Sequence, residues 1–349
     1  MKKVAVIIVN YNGKKYLPNL FGSIFKYPPQ KAGWEIIVVD NNSADGSDLW
    51  LIKNYPNLTL LKQEKNLGFA EGNNVGIRYA AQHGFDYVML LNQDIIVTEN
   101  YLDRLAETAE SDERIAAVQP KIMLYPDKEL VNSAGNIIHF LGFGYTRGHK
   151  LPNSKFQITD SQVNYCSGAA VLYKLAVLKK VGLFNGDFFM YHEDLDLGWR
   201  LSLAGYQNVI NPAAVVYHQY EFSRSIKKFY YMERNRYLTI FQNYRLGTIL
   251  LILPALVFME LGLFAWSFKN GWWPEKIRVY AYFLNPFNWS RLLRVRKNVQ
   301  RLRVEKDRAV VRRFSGKIEH QEVNGPLLTS VVNPVFNLYW QVMKNLILW

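Results

Sequence analysis

Residues 188–200 read FFMYHEDLDLGWR and place His192, Glu193, Asp194 and Asp196 within five positions, directly after the apolar, aromatic run Phe188 to Tyr191. A carboxylate beside an apolar wall is one way to build a general base, because lost hydration raises its proton affinity. The same acids are also an ordinary start to a helix, where they complement the positive end of the backbone dipole. Leu195, Trp199 and Leu203 recur at i, i+4 and i+8, so a helix is expected from about Glu193. The dipole accounts for acids at that place but not for the aromatic wall before them. Composition alone leaves both readings open.

Other polar groups close apolar runs elsewhere. Asp40 ends the run IIVV, Asn92 and Asp94 follow VMLL, and His218 follows AAVVY. Asp94 and His218 would suit a divalent cation, Mg2+ or Mn2+, that also holds a diphosphate, since such ions take few protein ligands and leave positions to phosphate and water. Asn92, the neutral first member of an Asn-Gln-Asp triplet, reads as a positioning residue. Asp40 could accept hydrogen bonds from a base N–H or a ribose hydroxyl, or it could cap the turn Asn41-Asn42-Ser43. No P-loop, no G-x-G-x-x-G after the first apolar run, and no C-x-x-C or H-E-x-x-H is present. Dehydrogenase, P-loop kinase and zinc-site readings therefore have no support.

The elements that must position these groups alternate. VAVIIVNY and WEIIVVD read as strands buried on both faces, with a helix between them from the spacing of Leu17, Leu20, Phe21, Ile24 and Phe25. LTLLKQ is a third strand, and NLGFAEGNNVGIRYAAQHG is a loop entering a helix. DYVMLLNQDIIV reads as one fourth strand that carries Asp94. Strands separated by helices predict an α/β, mostly parallel sheet flanked by helices, and such sheets bind ligands at the carboxyl ends of their strands.

Cys166 is the single cysteine, so no internal disulfide is expected, and it reads as a small core residue. The segment MKKVAVIIVNYNGKKY reads as a buried strand of a cytosolic domain rather than a signal peptide. Net charge is +13, and Arg291 to Arg313 holds ten basic and two acidic residues, a net +8. Such a run suggests an anionic partner, a nucleic acid or a membrane surface. Residues 246–268 are almost wholly apolar and long enough to span a bilayer. Glu260 near their middle would cost roughly 2.5–3.5 kcal/mol in lipid. Basic residues flank both sides, with Lys227, Lys228, Arg234, Arg236 and Arg245 before and the 291–313 run after. The expectation is a helical region lying in the interface of the cytoplasmic membrane face, with Trp266, Trp272, Trp273 and Trp289 at headgroup level. Residues 1–225 are expected to form the catalytic domain and 226–349 the helical, membrane-associated region.

The stretches VIIVNYNG, VVDNNSADGS, NLGFAEGNNVGI, LLNQD, SGAAVLYKLAVLKKVGLF, FFMYHEDLDLGWRLSLAGY and VVYH follow in order and cover about residues 4–218. With them the chain resembles the family-2 inverting glycosyltransferases of GT-A fold, in a rhamnosyltransferase-like branch. The resemblance implies sugar transfer from a nucleotide-sugar, dTDP-rhamnose-like or a UDP-hexose, to a glycan or lipid-linked acceptor in cell-surface polysaccharide synthesis. It implies Asp194 as catalytic base and Asp94 and His218 at the metal, with Glu193 and Arg200 shaping the acceptor or diphosphate region. The nucleotide-sugar would be met by Asn10, Asn12, Asp40, Asn42, Gly68, Asn73, Asn92 and Arg200. Nucleic acid is not an expected partner, because the basic run does not explain the ordered motifs before it. A nucleotidyltransferase of related fold is the alternative, but it has no use for the Glu-Asp helix motif. Three departures stand out. Asn92 replaces the family's usual Asp, QYEFSRS follows His218 and leaves phosphate contacts by Ser223 and Ser225 open, and LFNGDFF replaces the usual G-F-D.

Overall fold

The computed structural model describes residues 2–219, 226–319 and 328–349; Ser223 and Ser225 lie outside the described residues. Strand β1 (Lys3–Asn10) sits at the centre, paired in parallel with β2 (Gly33–Asp40) and β4 (Tyr87–Asn92), while β3 (Thr59–Lys62) extends the sheet beyond β2. Its continuous apolar run is needed because both faces are covered. Val4, Val6 and Ile8 enter a core with Leu17, Leu20, Phe21 and Ile24 of α1 (Leu17–Lys26), whereas Ala5 and Ile7 enter the opposite core with Ala70, Ile77 and Ala80 of α3 (Gly68–Gln82). Alternate side chains of a strand point to opposite faces, so one strand serves two helical layers. Helix α2 (Ser47–Asn54) connects β2 to β3.

The expected fourth strand is two. A turn at Gln93-Asp94 separates β4 from β5 (Ile95–Val97), so Asp94 lies in the turn rather than in a strand. The chain continues through α4 (Tyr101–Glu110), β6 (Ile115–Leu124) and the short strands β7 (Val131–Ser133), β8 (Asn136–Ile138), β9 (Gly144–Thr146) and β10 (Gln162–Val163). Then come β11 (Ala170–Lys174), α5 (Leu175–Val181), α6 (Glu193–Leu203) and β12 (Gln207–His218). The main sheet runs β10-β12-β6-β11-β4-β1-β2-β3, with β11 antiparallel to both neighbours and β12 parallel to β6.

The remaining helices are α7 (Ile226–Asn243), α8 (Leu246–Lys269), α9 (Trp273–Leu284), α10 (Pro286–Leu302), α11 (Asp307–Val311) and α12 (Asn333–Leu346). They share a core with Leu195, Trp199 and Leu203 of α6. Trp199 meets Tyr244 and Phe314 edge-on, with ring centres 4.5 and 4.8 Å apart.

Glu260 does not face outward from the apolar helix α8. Lys276, with 0% of its side chain exposed, lies 2.8 Å from Glu260 and 2.5 Å from Glu233, and Arg236 lies 3.0 Å from Glu233. Tyr237 and Tyr280 donate their hydroxyls to Glu260. The cost that the sequence assigned to Glu260 in lipid is thus avoided inside the protein. The same packing removes several expected membrane contacts. Arg234, Arg236 and Trp272 are buried. Arg303 is paired with Asp307 in the interior, and Arg296 donates to the carbonyl of Tyr244. Arg294, Lys297, Arg301, Lys306, Arg308 and Arg312 stay exposed.

Losing one partner of a buried ion network leaves uncompensated charge and costs about 3–5 kcal/mol. Lys276→Met leaves one cation, Arg236, to serve both buried carboxylates, and the expected loss of that order is read by chemical denaturation.

Candidate active site

The register of the sheet assembles the first group. Asn10 pairs with Asp40 across β1 and β2, and Val9 pairs with Asn92 across β1 and β4, so three strands end together. Asp40 is 4% exposed and oriented by three donors: Asn10 Nδ2 at 2.7 Å and Ser43 Oγ at 2.6 Å on Oδ1, and the Ser43 amide at 3.2 Å on Oδ2. A carboxylate offers about four lone-pair sites, so acceptor capacity remains. The turn after Asp40 holds Asn42 at φ 62°, while Asn12 at φ 50° accepts from the Ala44 amide at 2.8 Å. Asparagine tolerates this left-handed conformation better than most residues. Asp40 thus caps its turn, as one reading proposed, while still ending a strand at the sheet edge.

The second group closes the neighbouring end. His218 pairs with Ile95 between β12 and β5, directly after Asp94. Asp94 Oδ1 lies 3.2 Å from His218 Nε2, yet this buried oxygen accepts no hydrogen bond. On its other side, His218 Nδ1 is 3.0 Å from Asn132 Oδ1 and donates to it. With Nδ1 committed to Asn132, Nε2 is the ring nitrogen that faces Asp94, and a neutral ring would present its lone pair there. Two acceptors facing each other repel unless a proton or a cation lies between them. An octahedral cation with bonds of ~2.1 Å holds neighbouring ligand atoms ~3 Å apart, so this donor pair fits Mg2+ or Mn2+. Among the described residues no third histidine, cysteine or carboxylate completes a cluster, which matches an ion that takes the rest of its shell from phosphate and water.

The third group is the Glu-Asp pair opening α6. The Asn92 amide donates to Ala169 O at 2.9 Å, and the adjacent Gly168 amide donates to Asp194 Oδ2 at 3.1 Å. Asp194 is therefore tied to the segment that meets the end of β4. The three carboxylates of the first turn have separate fates. Asp196 is buried and paired with Arg200 at 2.8 Å. Glu193 is buried with Oε2 unpartnered, and burial reinforced by the negative charge of Asp194 pushes its proton affinity well above the usual carboxylate range. Burial also raises Asp194, opposed by the amides of Gly168 and Leu195. Desolvation outweighs the helix dipole for both groups. Glu193 is raised without any opposing side-chain partner, whereas the amides of Gly168 and Leu195 favour the anion at Asp194, so of the two Asp194 is the better placed to accept a proton. The approach to this helix is strained: Phe189, Tyr191 and His192 have φ of 61°, 67° and 69°, costing of order 1–3 kcal/mol each.

Other expected contacts have different surroundings. Gly68, at φ 79°, packs against Phe189, whose carbonyl would lie 2.4 Å from an added Cβ. Asn73 donates to Phe69 O of its own helix at 2.9 Å. The Arg200 guanidinium is occupied by Asp196 and the carbonyls of Val181, Gly182 and Leu183. Asn132 and Asn41, which ties β2 to the Gly68 carbonyl at 2.9 Å, had no signal in sequence spacing. Gly168 lies in the recognised stretch SGAAV but carries no side chain to mark it.

Residues 5–182 match the family described as glycosyl transferase family 2. An N-acetylglucosaminyl-diphospho-decaprenol L-rhamnosyltransferase of Mycobacterium tuberculosis is 28% identical over 234 residues, covering 61% of this chain and 75% of the relative. The low-salt glycan biosynthesis hexosyltransferase Agl10 of Haloferax volcanii is 25% identical over 201 residues, 56% of this chain and 61% of its own. Residues 1–349 of TarS of S. aureus superimpose over 99% of this chain and 90% of theirs, with a TM-score of 0.53 at 18% identity. GalNAc-T7 with UDP, GalNAc and Mn2+ superimposes at a TM-score of 0.55 and 15% identity over 69% of this chain, which spans about half, 48%, of that one. The α/β architecture is the GT-A fold that the sequence implied. With its motifs matched over just over half its length, the chain is a glycosyltransferase and belongs to glycosyl transferase family 2.

Proposed function

We propose that the chain transfers a deoxysugar or hexose from a nucleotide-sugar to a hydroxyl of a lipid-linked glycan, with inversion. The observation that supports this most is the shared edge of Asp40, the Asp94–His218 pair and Asp194: β1 pairs with β2 and β4, the turn at Asp94 leads from β4 to β5, which pairs with β12, and Gly168 beside the end of β4 holds Asp194. Asp40 meets the nucleoside, with Asn10 orienting its carboxylate. Asp94 and His218 hold a divalent cation, which when bound supplies positive charge for the departing diphosphate. Asp194 takes the proton of the acceptor hydroxyl as that oxygen forms its bond to the anomeric carbon. Direct displacement needs one base and no enzyme nucleophile, in keeping with a buried Glu193 whose proton affinity is raised and an Asp196 paired to Arg200. The choice of a lipid-linked acceptor draws on the relative that acts on a diphospho-decaprenol.

The proposed division of labour places the chemistry in residues 1–225 and membrane contact in 226–349. Leu246, Leu250, Leu253, Val257 and Leu261 of α8 form one exposed stripe, and Val335, Leu338, Val342 and Leu346 form another on α12. The helices are neighbours: Trp349 Nε1 donates to Thr248 Oγ1 at 2.9 Å and Phe258 lies 6.0 Å from Phe336. Exposed apolar stripes on two neighbouring helices suit the lipid interface, and the exposed arginines and lysines of 294–312 suit anionic headgroups.

Asp194→Asn should lower turnover by a factor of order 10² or more while donor affinity stays within about twofold. Near wild-type transfer would exclude Asp194 as the base. Asp94→Ala and His218→Ala should each abolish the extra thermal stabilisation that Mn2+ adds to nucleoside diphosphate binding. An unchanged metal increment in both variants would overturn the cation assignment. For the membrane, the paired change Leu250→Glu with Leu338→Glu, at side chains 68% and 69% exposed, should prevent flotation with anionic vesicles that carry the unaltered protein. Truncation near residue 225 is a poor substitute, because it would strip the apolar face of α6.

A further inference from the structure

The strained approach to Asp194 is held from a helix outside the sheet. Asn235 of α7 is 0% exposed, and its Nδ2 lies 2.9, 3.0 and 2.8 Å from the carbonyls of Phe188, Met190 and Tyr191. Arg234 determines which way this amide faces: its Nε and Nη2 donate to Asn235 Oδ1 at 3.0 and 2.8 Å, turning the NH2 group toward the loop. Arg234 Nη2 also donates to Asp187 O at 2.6 Å. Across the loop, the Phe69 and Ala70 amides donate to Phe189 O at 2.7 and 3.2 Å, and the Phe189 ring stacks on Tyr231 at 5.1 Å. His192 Nε2 donates to Gly142 O at 3.1 Å. Phe189, Tyr191 and His192, in the left-handed region, each follow a residue whose carbonyl Asn235 holds, so releasing Phe188, Met190 and Tyr191 would let them relax. Relaxation would turn the start of α6, and the carboxylate of Asp194 with it.

We propose that Asn235, aligned by Arg234, is a positioning residue that holds residues 188–192 in their strained course and so aims Asp194 at the acceptor hydroxyl. This rests on the reading of Asp194 as the base. Asn235 touches neither substrate nor cation and acts only through the loop. Misplacing a reacting group by about 1 Å costs up to ~10²-fold in rate.

The test is a double-mutant cycle on the full chain, with kcat, donor KM and nucleoside diphosphate affinity measured for each variant. Asn235→Ala is expected to lower kcat by about 10- to 100-fold with nucleoside diphosphate affinity within about twofold. Added to Asp194→Asn, it should lower kcat by less than about threefold more, because a base already removed cannot be misplaced. Full multiplication of the two losses would show a general structural role and overturn the proposal. A crippled Asp194→Asn beside an unimpaired Asn235→Ala would overturn the positioning role alone, whereas an active Asp194→Asn would remove the base reading itself. If Asn235→Ala does not fold, Arg234→Gln decides. It leaves the amide but frees it to turn, so a kcat loss of about 3- to 10-fold at unchanged nucleoside diphosphate affinity is expected. An unchanged kcat in that variant would overturn the proposal.

Discussion

The pairing register of β1 is the constraint on which the site depends. Eight residues of β1 are matched one-to-one with β2, and six with β4. A slip of one residue would exchange Val4, Val6 and Ile8 with Ala5 and Ile7 between two dissimilar helical layers. The first layer accepts Leu20 and Phe21 against the branched side chains, while on the other face an added Cβ on Gly76 of α3 would meet Ile7 at 2.5 Å. Core packing therefore fixes register, and register fixes which residues end the strands together. Asn10, Asp40 and Asn92 meet at one edge because apolar residues several positions earlier allow no other alignment.

The helical layer contributes through polar contacts inside apolar surroundings. Glu233, Arg236, Lys276 and Glu260 join α7, α8 and α9, and Arg236 donates to the Leu141 carbonyl at 3.2 Å. Glu233 is held down to about 2 by its two cations even though it is buried. Such a network stabilises little in total, since desolvation offsets most of its Coulomb energy, but it penalises every arrangement that leaves one member alone. Its effect is to define how three helices meet. One of them, α7, reaches the loop before Asp194, and another, α8, carries the exposed apolar stripe. The exposed stripe and the loop before Asp194 are thus carried by helices that one ion network joins.

Much of this was legible in the sequence. The β-branched runs announced the parallel strands, and the spacing of Leu195, Trp199 and Leu203 announced α6 from Glu193 onward. Both signals are local, since burial on two faces or on one helical stripe is written into consecutive residues. The strand ends named Asp40, Asp94 and His218 as site candidates for the same reason. The extent of α8 was equally plain from its composition, because only an apolar run of that length fits it.

Tertiary structure alone decided what each polar group does. Glu193, Asp194 and Asp196 lie within four positions and are chemically alike, yet Arg200 neutralises one, burial raises the proton affinity of another, and the Gly168 amide tethers the third. Asn132 became the partner of His218 across 86 residues. Glu260 changed from an obstacle in lipid to part of an internal ion network, and Arg234 and Arg236 changed from headgroup contacts to buried donors. The sequence by itself determined where strands, helices and chemically capable residues occur, because hydrophobic periodicity is a property of neighbours along the chain. The roles of those residues depend on hydration and on the charge facing each of them, and those are properties of neighbours in space.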